Sequence, residues 1–309
     1  MMQYIGFDTS NYTTSAALLD GEQLHSERRL LPVREGQLGL RQSDAVFHHT
    51  AALPEIFGAL PECGEIAAVG VSARPRDAEG SYMPCFLVGV NTASCMAKAL
   101  QVPLYSFSHQ AGHIAAALWS AGRTDLLGKS FLAFHVSGGT TEVVLVQPDA
   151  EKVFRTETVL SSLDLKAGQA VDRVGVMLGF PFPAGKFVDA ESQKSTRKFH
   201  IHIRLKDGCC SLSGLQNQCE QMHKKGDSPA DICRYCLCYI GEALCAMADF
   251  AVKAYGNLPL VFSGGVMSNT LLRKMLADRF ESVFAKPEFS CDNAAGIACL
   301  AKLQHEKTL

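Results

Sequence analysis

The sequence predicts an α/β protein of two duplicated halves, on three observations. Its 309 residues are too many for one small core and suit two domains of ordinary size. Each half opens with three strand-like segments in succession. Each then alternates helix-like with strand-like segments, the pattern of a mixed sheet covered by helices.

In the first half, Gln3 to Asp8 and Thr13 to Leu19 read as strands, and Asp20-Gly21 is a tight turn into a third, Gln23 to Leu31. Asp44 to Leu60 has helical apolar spacing, with Ser43 as its cap. Ile66 to Ser72 reads as a buried strand, Pro84 to Leu100 as a helix and Leu104 to Phe107 as a strand. The second half repeats the plan. Phe131 to Val136, Thr141 to Gln147 and Lys152 to Leu160 are its strands, followed by helix Ala167 to Leu178. A long helix, Pro229 to Tyr255, leads into strand Leu258 to Phe262, and helices Met267 to Phe280 and Asn293 to Leu303 close the chain. Two such halves make the actin-like ATPase (ASKHA) fold, a pair of ribonuclease-H-like domains with a ligand in the cleft between them. The expected division is 1–107 plus 290–309 for the first domain and 108–289 for the second, which carries the metal and nucleotide motifs.

With 47% apolar and 19% charged residues, the composition opposes disorder. A net charge of −2 does not mark a nucleic-acid binder, so any RNA surface has to be local. One segment offers it. Phe199, Ile201, Ile203 and Leu205 alternate with His200, His202, Arg204 and Lys206, as in a strand with one apolar and one basic face. Lys194, Arg197 and Lys198 extend the charge. It reads either as a phosphate-contacting edge or as a solvated strand face. Met1 to Gly6 lacks signal-peptide features, and no stretch reaches the ~20 apolar residues of a membrane helix. The expectation is a cytoplasmic protein without a membrane partner, its twelve cysteines serving as free, small apolar residues. Cys233, Cys236 and Cys238 have knuckle-like spacing inside a helix-like run, but no Gly or Pro stands between them to make the tight turn of a knuckle, which favours core packing over a metal.

Three motifs carry chemistry. His109 and His113 stand at i and i+4, one turn apart on a helix face, as a chelating pair or as a structural one. Zinc-protease chemistry needs a glutamate after the first histidine, and Gln110 cannot take a proton. Two glycine turns follow strands, Ser137-Gly138-Gly139-Thr140 and Ser263-Gly264-Gly265-Val266. Such turns either bring backbone N–H groups to phosphate oxygens or are ordinary tight turns. Asp292 precedes an apolar helix, as a cap or as a carboxylate aimed at a metal.

In chain order the blocks are Ile5-Gly6-Phe7-Asp8-Thr9-Ser10, His109-x-x-x-His113, Val136-Ser137-Gly138-Gly139, Ala167-Gly168-Gln169-Ala170-Val171-Asp172, Ser211-Leu212-Ser213-Gly214-Leu215, Gly264-Gly265-Val266 and Asp292-Asn293-Ala294-Ala295. Over essentially the full length this order resembles the TsaD (Gcp) family of tRNA threonylcarbamoyladenosine transferases. The resemblance implies one divalent metal, iron or zinc, on His109, His113 and Asp292. It implies contacts to an AMP- or ATP-type nucleotide from Ser137, Gly138, Gly139, Gly168, Asp172, Gly185, Gly265 and Asn269. It places the catalytic candidates Asp8 and Asn11 after the first strand. The implied reaction is acyl transfer from threonylcarbamoyl-AMP to N6 of the tRNA adenosine next to the anticodon. TsaB-like and TsaE-like partners or a homodimer come with it.

Departures from the family pattern suggest a diverged paralogue. Tyr12 and Thr13 replace an adjacent acidic pair. Ala73-Arg74-Pro75-Arg76-Asp77 replaces a glycine loop, and Ala184-Gly185-Lys186 replaces a Gly-Gly-Pro segment. These cations either serve a more anionic ligand or face solvent. The second reading is therefore a non-catalytic nucleotide- and metal-binding partner or regulator. A sugar or acid kinase on this scaffold is weaker, since the histidine pair has no part in that chemistry.

Overall fold

The computed structural model describes residues 2–10, 12–32, 40–289 and 294–308. Strands β1 (Gln3–Asp8), β2 (Thr13–Asp20) and β3 (Gln23–Leu30) form an antiparallel meander, with Gly21 in the left-handed region (φ 60°) at the tight turn between β2 and β3. β4 (Ile66–Arg74) and β5 (Leu104–Ser108) pair parallel, on the other side of β1. The sheet order is β3-β2-β1-β4-β5. Parallel neighbours require crossovers, supplied by α1 (Gln42–Gly58) before β4 and α2 (Phe86–Leu100) before β5. β1 is buried at every position, as a central strand covered on both faces must be. Ile5, Phe7, Leu18, Leu53, Val69 and Val71 lie in its core.

α3 (His109–Ser120) leaves β5 without a linker, and α9 (Ala294–Thr308) packs on α3, β1 and β4. The α3–α9 crossing is close enough to demand glycine: a Cβ on Gly296 would lie 1.9 Å from the Gly112 carbonyl oxygen.

The second sheet repeats the first. β6 (Phe131–Val136) pairs antiparallel with β7 (Thr141–Pro148) and parallel with β9 (Leu260–Ser263), which pairs parallel with β10 (Ser282–Phe284). With β8 (Phe154–Ser161) at the far edge, the order is β10-β9-β6-β7-β8, the plan of the first sheet read from the other end. Helices α4 (Ala167–Met177), α5 (Gly185–Ser192), α6 (Ser213–Lys224), α7 (Pro229–Tyr255) and α8 (Thr270–Ala277) complete this half.

Two compact units result. The first holds the described residues of Met1–Gly128, Pro148–Thr156 and Cys291–Leu309, the second those of Lys129–Gln147 and Glu157–Ser290. The division differs from one at 107/108. α3 goes with the first unit because it packs on α9 and beside β4 and β5. The stretch 148–156 joins it because α9 holds its backbone: Gln304 Nε2 donates to Glu151 O (2.9 Å), and Lys307 Nζ to Asp149 O (2.9 Å) and Lys152 O (2.8 Å).

Several expectations are corrected. α1 begins at Gln42 with Arg41 at its N-cap, so Ser43 lies inside the helix. The helix expected from Met267 is a 3-10 turn, Gly265–Ser268, followed by α8 capped by Asn269. Phe199 to Lys206 does not join a sheet, although its burial alternates as a strand's would. α7 is, by length and composition, apolar enough to cross a membrane. Its apolar residues, among them Ile232, Cys233, Leu237, Ile240 and Leu244, are buried in the core of the second unit. There burial pushes the Cys233 thiol up to about 12, which keeps it protonated among these core residues.

Candidate functional site

In the first unit the candidate chemistry gathers at the carboxyl ends of parallel strands, where open α/β sheets place ligands. Asp8 ends β1 and Ser108 ends β5. Ser108 caps α3, its Oγ accepting from Ala111 N at 3.2 Å, which fixes the first turn that carries His109. His109 and His113 share one helix face, their rings 4.6 Å apart between centroids.

His109 Nδ1 donates to Asp8 Oδ2 at 2.9 Å, and Ser10 N donates to Asp8 Oδ1 at 2.9 Å. Asp8 is 1% exposed. Burial raises its pKa, but the charge of His109 and hydrogen bonds from His109 and Ser10 outweigh burial and hold the carboxyl below its usual range. An ionised Asp8 keeps a proton on Nδ1, so a neutral His109 presents Nε2 as its lone-pair nitrogen, with Ser10 Oγ 3.4 Å away. The Asp8 carboxylate, expected as a catalytic group, is hydrogen-bonded to His109 and to the Ser10 backbone. Ser10 had no assigned role in the sequence, where only its closeness to Asp8 signalled one.

Asn11 and Asp292 lie outside the described residues. Among the described residues no three His, Cys, Asp or Glu side chains form a metal-holding group. His109 and His113 supply two of the three expected donors. Two adjacent imidazoles, one steered by a carboxylate, suit iron or zinc.

A cavity of ≈ 190 Å³ opens beside the start of α3, lined by residues including Arg74, Asp77, Tyr105, Ser108, Lys152 and Gln304. Arg74 Nε donates to Asp77 at 3.1 Å, and its Nη2 forms a second bond to the same oxygen. Asp77 also accepts from Ser108 Oγ (3.2 Å) and Thr156 Oγ1 (3.4 Å). Arg74 is therefore neutralised by Asp77, and Asp77 braces the loop against Ser108 of β5.

In the second unit the two glycine turns stand side by side, because β6 and β9 are parallel neighbours with His135 opposite Ser263. The turn after β6 is closed by Ser137 N donating to Thr140 O (2.7 Å) and Thr140 N to Ser137 Oγ (3.1 Å). Gly138 and Gly139 remain exposed. α4 docks against this turn: Gly168 N donates to Ser137 O (3.1 Å), and a Cβ on Gly168 would lie 2.6 Å from Gly138 N. Asp172 accepts from Ala184 N at 2.7 Å and so ties α4 to the loop before Gly185. Its carboxyl is raised by burial, against that hydrogen bond. Gly265 is exposed. Asn269 Oδ1 accepts from Leu272 N (3.0 Å) as the α8 cap, a task that its nucleotide assignment did not foresee. Lys186 is exposed, its Nζ 4.8 Å from the Phe187 ring centre.

Missed in the sequence was Asp164. It accepts from Leu165 N (2.6 Å), Leu212 N (2.7 Å) and Ser213 N (3.3 Å), and from Ser213 Oγ (2.6 Å). α6 has Leu212 at its N-cap and no cap of its own, so Asp164 serves from 49 residues away.

Two sheets of one strand order, with candidate groups at the carboxyl ends of their parallel strands, define a protein of the actin-like ATPase fold. Full-length HypF in its phosphate- and nucleotide-bound form matches 99% of the chain at TM-score 0.59 and 13% identity; the chain spans 55% of that protein. Component A of the Acidaminococcus fermentans (R)-2-hydroxyglutaryl-CoA dehydratase matches along the whole of both chains at TM-score 0.58 and 14% identity. At these identities the likeness is one of fold. The chain belongs to the TsaD family, tRNA N6-adenosine threonylcarbamoyltransferase, whose profile matches residues 46–299. A relative of that name from Streptococcus equi subsp. equi (strain 4047) is 31% identical over 277 residues, 84% of this chain and 78% of the relative. Another, from Riemerella anatipestifer, is 26% identical over 325 residues, 98% of this chain and 93% of the relative. The histidine pair and the glycine turns lie inside the matched range, whereas Asp8 precedes it.

Proposed function

We propose that this chain transfers a threonylcarbamoyl group from threonylcarbamoyl-AMP to N6 of the tRNA adenosine next to the anticodon, in the cytoplasm. The observation that carries the reading is the His109–His113 pair, steered by Asp8, in a chain of this family. His109 and His113, with Asp292 as the family's third ligand, hold a divalent iron or zinc. Bound there, the metal supplies a Lewis acid that polarises the donor's carbonyl. Asp8 fixes the tautomer and ring plane of His109. The amides of Gly138, Gly139, Gly185 and Gly265, with Asp172 and the free end of the Asn269 amide, receive the AMP part, while the Ser137 and Gly168 amides hold the turn in shape. The N6 nitrogen attacks the carbonyl carbon, a C–N bond forms, the bond to the phosphate oxygen breaks and AMP departs with its charge. N6 gives up a proton in the process. Partners of the TsaB and TsaE kind, or a second copy, complete the working assembly.

Complementation of a strain lacking its own transferase tests this. The wild-type chain is expected to restore the modified nucleoside, and His109→Ala/His113→Ala to fail while melting at an unchanged temperature. A well-expressed wild type that restores nothing would defeat the proposal.

A further inference from the structure

The segment 199–206 was expected to be a strand and is not one, yet it is organised like one. Phe199, Ile201, Ile203 and Leu205 are half-buried, and His200, His202, Arg204 and Lys206 between them are exposed. Phe199 packs edge-on against Tyr235 of α7, with ring centres 5.1 Å apart, and Ile203 and Leu205 pack against the core of the second unit. The segment ends in a hairpin turn. Asp207 (φ 51°) and Gly208 (φ 79°) occupy its centre, and Lys206 and Cys209 exchange both backbone hydrogen bonds at 2.9 Å. Between 199 and 205, no main-chain group bonds to another main-chain group among the described residues.

An extended chain anchored every second residue, but without a neighbouring strand, presents its other side chains in a fixed row. Alternate residues repeat at about 6.6 Å, a spacing commensurate with successive phosphates of a nucleotide chain. Not every cation nearby is available. Arg197 pairs with Asp227 (2.8 Å) and Asp231 (3.5 Å) and lies over Phe199, and Lys194 pairs with Glu191 (2.6 Å). Lys198, Arg204 and Lys206 are exposed and make no ion pair among the described residues, with His200 and His202 between them as hydrogen-bonding groups. In a chain of net charge −2, this row is a local cationic feature already ordered by its apolar side.

We infer that the 198–206 row is a docking strip for the phosphate backbone of RNA, positioning rather than reading the substrate. The inference rests on the tRNA reading above and gives it a place on the surface. The test is binding of one unmodified tRNA transcript between about 50 and 200 mM salt, comparing wild type with Lys198→Gln/Arg204→Gln/Lys206→Gln. The strip predicts that the slope of log affinity against log salt becomes shallower by about 2 to 3 in the variant, with AMP binding and melting temperature unchanged. A wild type that binds the tRNA and a variant with the same slope overturns the strip alone, and would leave the open backbone edge to a protein strand. A wild type that binds no tRNA at either salt overturns the strip, while the transferase reading stands or falls on complementation.

Discussion

The two units share a strand order and differ in what they place at the strand ends. In the first, the candidate groups are side chains: Asp8 closes β1, and His109 follows β5 directly. In the second, they are backbone: two glycine turns end β6 and β9, and α4 packs closely against one of them. The sheet topology determines where functional groups collect, and residue type determines which chemistry they offer. Side-chain chemistry is removed by one substitution that leaves the fold alone. Backbone chemistry is lost chiefly when a new Cβ pushes the main chain away.

That contrast can be tested, beginning with the largest effect. Gly296→Val puts atoms into the α3–α9 crossing, where the obstacle is the Gly112 carbonyl rather than a movable side chain. It is expected to cost about 3 kcal/mol or more in urea unfolding; a loss under about 1 kcal/mol would mean that the helices separate easily. Gly168→Ala meets the backbone of the Ser137–Gly139 turn. An expected loss of about 1–3 kcal/mol accompanies weaker AMP binding by calorimetry, with metal content unaltered. Asp8→Asn should do the reverse. It lowers metal affinity or turnover about 10- to 100-fold and leaves AMP binding as it was. If it removes both, the division of labour between the units is wrong.

The smallest effect concerns Asp164, whose removal uncaps α6. Asp164→Ala is expected to cost about 1 kcal/mol at neutral pH. Burial raises the Asp164 carboxyl, but bonds from Ser213, Leu212 and Leu165 prevail and leave its pKa lowered. A lowered folded-state pKa means that stability is present above the unfolded value of about 3.9 and is lost as pH falls through the folded value. The gap between wild type and Asp164→Ala should therefore close on acidification, as unfolding curves at several pH values would reveal.

Long periodic elements were legible because burial and period coincide in them. β1, α7 and β6 stand at the residues expected. What escaped was short or sparsely apolar. β10 has three residues, and α6 buries only Leu215 and Cys219 on its apolar side, too few to set a period. Phe199 to Leu205 misled for the opposite reason: alternation reports alternating burial, and here the covering element is the rest of the core rather than a paired strand. In the site, the histidine pair was legible from its spacing. The link from His109 to Asp8 was not, since 101 residues separate the partners. The cap supplied by Asp164 was hidden for the same cause.

The first unit is assembled from stretches far apart in the sequence, and this bears on how it is made. β1 to α3 are synthesised well before α9, which packs against β1, β2, β4 and α3 and follows the whole of the second unit. The second unit, drawn almost wholly from 129–147 and 157–290, has its core segments in hand sooner. During synthesis the early sheet therefore waits with an apolar face uncovered, the kind of nascent surface that recruits chaperones. The arrival of α9, rather than completion of either sheet, is the event that closes it.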